Sequence, residues 1–188
     1  MSELFEDIED FIWYEDISSR EEYDGGLQEC EIYYCPYMQV EPFAVPSIYG
    51  SFEGSGFIDQ EIVARKGYSF QRIKALIDNN DLNTSGSTTK LNIYVLGLRA
   101  KIIGLKRKLE MMPGIYLVRD NNQRCFVIGN TLSPARASVT LSSGKTIEDL
   151  SGAQIQLTSN MIFFEYKGVT PEVNNKSDFT DEHSNEYQ

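Results

Sequence analysis

Histidine is almost missing from this chain. His183 is the only one, and it lies in a polar C-terminal stretch. A Ser-His-Asp or Cys-His arrangement therefore has no base within the apolar part of the sequence. Cysteine is nearly as scarce, and three is an odd number that argues against a disulfide framework. Cys30 and Cys35 form a C-x4-C pair, looser than the C-x2-C of most structural zinc sites. Cys125 sits in the apolar run 124–129, where a buried thiol is expected. No apolar run is long enough to span a bilayer. Residues 1–10 are acidic where a secretory signal would be basic. Neither a membrane partner nor a secretory signal is expected, and a reducing cytoplasm suits the synthesis of such a chain. Excess positive charge is lacking too. The net charge is −11, and residues 1–31 carry all of it, with twelve acids against the single base Arg20. The remainder is neutral, which excludes wholesale attraction to nucleic-acid phosphates.

What the sequence does have is a core. Apolar residues make up 41% of 188, with 10 Phe and 11 Tyr, enough to fill one domain. Three regions follow from composition: an acidic aromatic arm at 1–24, a β-rich domain at 25–171 and a polar tail at 172–188. In the arm, Leu4, Ile8, Phe11 and Ile12 make a short amphipathic helical stripe beside Trp13. It would pack on a partner surface or on its own domain. As any carboxylate-rich arm can, it could also hold divalent cations weakly.

Next come β-formers interrupted by Pro36, Pro42 and Pro46, the texture of edges and short strands. A flexible turn is expected at 50–56, then strands at 57–64 and 68–77 about a Lys66-Gly67 turn. A polar loop follows at 79–88 and a strand at 89–98. One helix is predicted over about 98–112, from the stripe Leu98, Ile102, Leu105, Leu109 and Met112. Pro113-Gly114 stops it, and its basic last turn complements the dipole. A hairpin about Asn121-Asn122, two alternating strands on either side of 143–152 and a last strand in "MIFFEYKG" complete the domain. The expected fold is mainly β: an antiparallel β-sandwich or barrel of about 8–9 short strands with one packed helix.

Gly144-Lys145-Thr146 looks like the end of a phosphate-binding loop. It lacks the required Gly, having Val139 in that place, and a strand pattern rather than a helix follows it. Glu148-Asp149 reads as a solvated pair in a turn. The basic stretch Arg99, Lys101, Lys106, Arg107 and Lys108 has no interleaved aromatics and reads as a solvated or partner-facing side. It could complement the acidic arm of a neighbouring subunit, giving an association that weakens with salt. No catalytic, cofactor-binding or metal-binding residue is expected, nor a small-molecule substrate, and an enzyme is the least expected reading.

Four features then occur in order. "DGGLQECEIYYC" takes a Gly-Gly into a first strand, and the hairpin "YLVRDNNQRCFVIGN" follows the helix. Pro134-Ala135 precedes a stretch from Ser143-Gly144 through Asp149 to Gly152, and a closing strand ends before Pro171. This order resembles the major tail (tail tube) proteins and related virion proteins of tailed bacteriophages, especially those infecting Bacteroidetes, over residues 23–171. The resemblance implies a sandwich or barrel with a packed helix. It further implies homohexameric rings stacked into a tube through which DNA passes without sequence-specific contact, with other virion proteins as partners and the virion as location. Loop 79–88 and arm 1–24 would reach between rings, and a negative lumen would let DNA slide. The strongly acidic, aromatic arm departs from the plainest pattern of that family. Rival readings are another virion part, such as a tail terminator or head–tail joining protein, and a cytoplasmic adaptor binding through the arm.

Overall fold

The computed structural model describes residues 29–49, 51–77, 82–119, 123–143, 151–169 and Pro171. The arm 1–24, the turn residues Asn121-Asn122, the 144–150 segment and the 172–188 tail lie outside the described residues. Among the described residues there are ten strands, one or two more than predicted: β1 (Glu29–Pro36), β2 (Phe57–Ile58), β3 (Gln71–Leu76), β4 (Asn83–Ser85), β5 (Thr88–Leu96), β6 (Gly114–Arg119), β7 (Cys125–Ile128), β8 (Arg136–Ser142), β9 (Gly152–Ser159) and β10 (Phe164–Tyr166). Two helices join them, α1 (Phe52–Gly56) and α2 (Ala100–Met111).

The strands follow the path β2-β10-β7-β6-β1-β3-β5-β9-β8, with β4 on β5. Two links, one within this path and one outside it, are minimal. β3 meets β5 through the single pair Leu76↔Tyr94. The start of β6 meets the residue before β8 through Gly114↔Ala135, each amide 2.9 Å from the other's carbonyl. The molecule is thus a sandwich whose layers, β3-β1-β6-β7-β10-β2 and β4-β5-β9-β8, touch at two corners. Pairing is antiparallel except for β2 with β10, which are parallel.

One apolar cluster fills the space between the layers. Ile32, Tyr34, Tyr116 and Val118 face Ile93, Val139 and Ile155 there, and Ile102, Leu105 and Leu109 enter from α2. Burying each of those three helix side chains is worth about 1.5–3 kcal/mol. Leu98 and Met112, expected on the same stripe, fall just beyond the helix and stay half exposed. A second cluster coats the outer side of the first layer. It joins Tyr33, Cys35, Ile115, Leu117 and Val127 to Phe43, Ile62 and Phe70 of the connection between β1 and β3. β1 and β6 are therefore buried on both faces, which explains their unbroken apolar runs.

That connection corrects two expectations. Residues 50–56 are not simply a turn: Ser51 Oγ accepts from the Gly54 amide at 3.0 Å and caps the short α1. The predicted strand 57–64 survives only as β2 and an isolated bridge between Ala64 and Val40. Residues 39–49 and 59–65 instead form an irregular ribbon, held by Glu41 N to Val63 O at 2.9 Å and Arg65 N to Gln39 O at 2.7 Å. Pro42 and Pro46 keep it from becoming a regular ladder. The polar loop 79–88 proves to be in part a hairpin, β4 turning through Gly86 (φ 62°) into β5.

Candidate functional site

Two surfaces stand out. The first is the loop between β7 and β8. The Asn130 side chain is buried, and its Oδ1 accepts from the amides of Leu132 (2.9 Å) and Ser133 (2.6 Å). Asn130 N also donates to Ser133 O at 3.1 Å. An Asn folded back on its own turn fixes a short loop. The corner pair Gly114–Ala135 anchors its far end. At the tip of this braced loop Leu132 is 92% exposed.

The ribbon forms the second surface. Phe43 and Ile62 point into the outer cluster, while Ile48 and Tyr49 and, just before the ribbon, Met38 are 68–72% exposed, and Val45, Val63 and the flanking Tyr68 are exposed as well. Tyr166 ties the ribbon down, accepting from Ile62 N at 3.1 Å and donating to Val169 O at 2.9 Å. A fixed ribbon with a large outward apolar surface is the usual mark of a surface that meets another protein.

The far side of the sandwich differs in kind. Its rows run Lys90–Thr158–Arg136, Asn92–Gln156–Ser138 and Tyr94–Gln154–Thr140 across β5, β9 and β8. Gln156 Nε2 donates to Asn92 Oδ1 at 3.2 Å, and Gln154 Nε2 to the Tyr94 hydroxyl at 3.3 Å. These rows are amides and hydroxyls with two cations and no carboxylate.

The singled-out sequence features fall apart in space. Cys30 joins the inner cluster and Cys35 the outer one, on opposite faces of β1, so the C-x4-C pair cannot hold one metal ion. Burial pushes the Cys30 thiol up to about 12 and the Cys35 thiol to about 11, which leaves both protonated at neutral pH. Cys125 is half-buried against the outer cluster. Among the described residues no group of three or more His, Cys, Asp or Glu could hold a metal, and no described helix is long and apolar enough to cross a membrane. Val139, the residue in place of the phosphate-loop glycine, lies in β8, while Gly144-Lys145-Thr146, Glu148-Asp149 and His183 lie outside the described residues.

The basic stretch of α2 splits into separate jobs. Lys106 donates to the Val139 carbonyl and Glu110 Oε1 accepts the Val139 amide at 3.0 Å, so the helix satisfies the outer edge of β8. Lys106 and Glu110 are themselves paired at 2.7 Å. Hydrogen bonding from Lys106, then from the Val139 amide, lowers the Glu110 carboxyl below its usual range. Arg99 and Lys101 sit at the other end of the helix, beside β3 and β5.

Sequence reasoning missed the braced loop and the outward ribbon. An Asn three residues before a Ser and four before a Pro was the one available signal for the loop. Against known proteins, the chain matches no family model, and no curated protein or solved structure is significantly similar to it.

Proposed function

We propose that this protein is a structural virion subunit that associates with copies of itself into rings, stacked as a tail tube that conducts DNA. The observation that carries the self-association is Leu132, held out at 92% exposure by a loop whose amides are tied to a buried Asn130. Holding a large apolar side chain in water at the tip of a rigid loop stabilises nothing in a lone molecule. It favours insertion into a neighbour. The ribbon's outward Ile48 and Tyr49, with the adjoining Met38, offer apolar surface for such a contact. A knob on one part of the surface and an acceptor on another make a head-to-tail contact, the kind that closes rings.

The virion and tube part of the reading rests on the order of features across residues 23–171 that resembles tail tube proteins. On this reading the work is geometric, without turnover or cofactor. The polar rows on β5, β9 and β8 carry Lys90 and Arg136 and no carboxylate, so they suit a contact between subunits better than a wall along which DNA must slide.

Light scattering and negative-stain micrographs of the full chain test the reading. Rings or tubes are expected, and Leu132→Asp is expected to weaken association roughly tenfold or more while leaving circular dichroism unchanged. A strict monomer at high concentration would overturn it.

A further inference from the structure

Where β3 and β5 part beyond Leu76↔Tyr94, the sandwich opens at its corner. A groove of about 410 Å3 lies there, between β3, the end of β5 and the start of α2. Its floor is apolar, with Val95, Leu96, Ile102 and Leu105, and its rim is cationic, with Arg72, Lys74, Arg99 and Lys101. Arg72 faces a carboxylate, Glu31, at 3.7 Å. Among the described residues Lys74 and Arg99 take part in no ion pair. The helix start is itself unusual. Arg99 occupies the N-cap position without a side-chain cap, and the first turn holds no acid, so the positive end of the dipole adds to the cationic rim. A second hollow of about 550 Å3 shares Lys74, Val95 and Leu96 with the groove and continues it to Cys30 and Glu31, at the start of β1.

An occupant must bring carboxylates for the rim and large apolar side chains for the floor. Phosphate chains lack the second requirement. Residues 1–28 have both: ten acids, with Leu4, Phe5, Ile8, Phe11, Ile12 and Trp13 among them. They also join the described structure in the right place. Glu29 pairs with Leu76, the β3 residue at the mouth of the opening. A tether this short keeps the segment at an effective concentration on the order of millimolar at the groove. We propose that residues 1–28 dock in the groove of their own chain, acids against Lys74 and Arg99 and apolar side chains on Val95, Leu96, Ile102 and Leu105. This goes beyond the tube reading and does not depend on it.

Trp13 is the only tryptophan, so its fluorescence in the full chain reports on this segment alone. At low salt its emission is expected blue-shifted and shielded from acrylamide. At about 1 M salt, where charges are screened beyond about 3 Å, it should approach the values of the denatured chain. The double variant Lys74→Glu, Arg99→Glu should show exposed Trp13 at every salt concentration. Arg107→Glu, on an exposed part of the same helix, should behave as the parent, and circular dichroism checks that both variants fold. Trp13 exposed at low salt in the parent, or shielding unaffected by the double variant, overturns the proposal. Shielding that is lost on hundredfold dilution also overturns it, and places the segment on a neighbouring copy instead.

Discussion

Tyr34 and Tyr116 lie against each other in the inner cluster, ring centroids 5.0 Å apart, and differ by one bond. The Tyr34 hydroxyl donates to the Met112 carbonyl at 2.7 Å, tying β1 to the exit of α2. The Tyr116 hydroxyl is buried and finds no partner among the described residues. Burial raises the pKa of both phenols, so each stays neutral. Removing a paired hydroxyl strands a carbonyl, whereas removing an orphan one relieves a desolvated dipole. Tyr34→Phe should therefore destabilise the fold by about 1–2 kcal/mol, and Tyr116→Phe should be neutral or stabilising by up to about 1 kcal/mol. Urea denaturation of both variants checks this, and equal losses would contradict it. Gly114 shows a different residue-scale requirement. A Cβ there would overlap the Tyr34 ring and come within 2.6 Å of the Cys35 carbonyl. It reads in sequence as the stop after a helix, and in space it is where β1, β6 and the entry to β8 cross.

At the scale of elements, α2 has two faces with separate tasks. Its apolar face was legible from spacing, since Ile102, Leu105 and Leu109 recur at helical period and all three are buried. Its polar face was not. Nothing in the sequence says that Lys106 and Glu110 would meet the backbone of a strand about thirty residues later, and by doing so cover a free edge. Glu110→Gln removes the charge from this contact. Because the folded chain holds the Glu110 carboxyl below its ordinary 4.5, its contribution is complete above that value and lost as pH falls through the lower folded value. The variant should melt at a lower temperature than the parent at pH 7, with the difference vanishing in acid. Thermal melts followed by circular dichroism at pH 7 and below pH 4 measure this. A difference that grew in acid would show the sign to be wrong.

The whole molecule is two-sided. One side carries a ribbon with outward apolar residues, and the opposite side carries rows of amides and hydroxyls. If the ribbon buries its outward residues against a neighbour, Ile48→Glu should lower the mass seen by light scattering, as is expected of Leu132→Asp. It should leave the urea midpoint unchanged, because Ile48 is 70% exposed in the single chain. Placing both substitutions in one chain tests whether the knob and the ribbon serve the same contact. If they do, the double variant loses little more than either single one.

The amino-acid sequence by itself determined the class of this protein. Period-two alternation in 136–142 and 152–159, β-branched and aromatic runs and one helical stripe are local properties, so a mainly β fold with one packed helix could be read from them. The position of the negative charge at 1–31 was equally plain. Tertiary structure alone decided how the strands order into two layers joined by single pairs at two corners. It also put Cys30 and Cys35 on opposite faces, and set Lys74 beside Arg99 although 25 positions separate them. Those outcomes depend on contacts between residues far apart in the chain, and local periodicity carries no information about which distant partner a residue will meet.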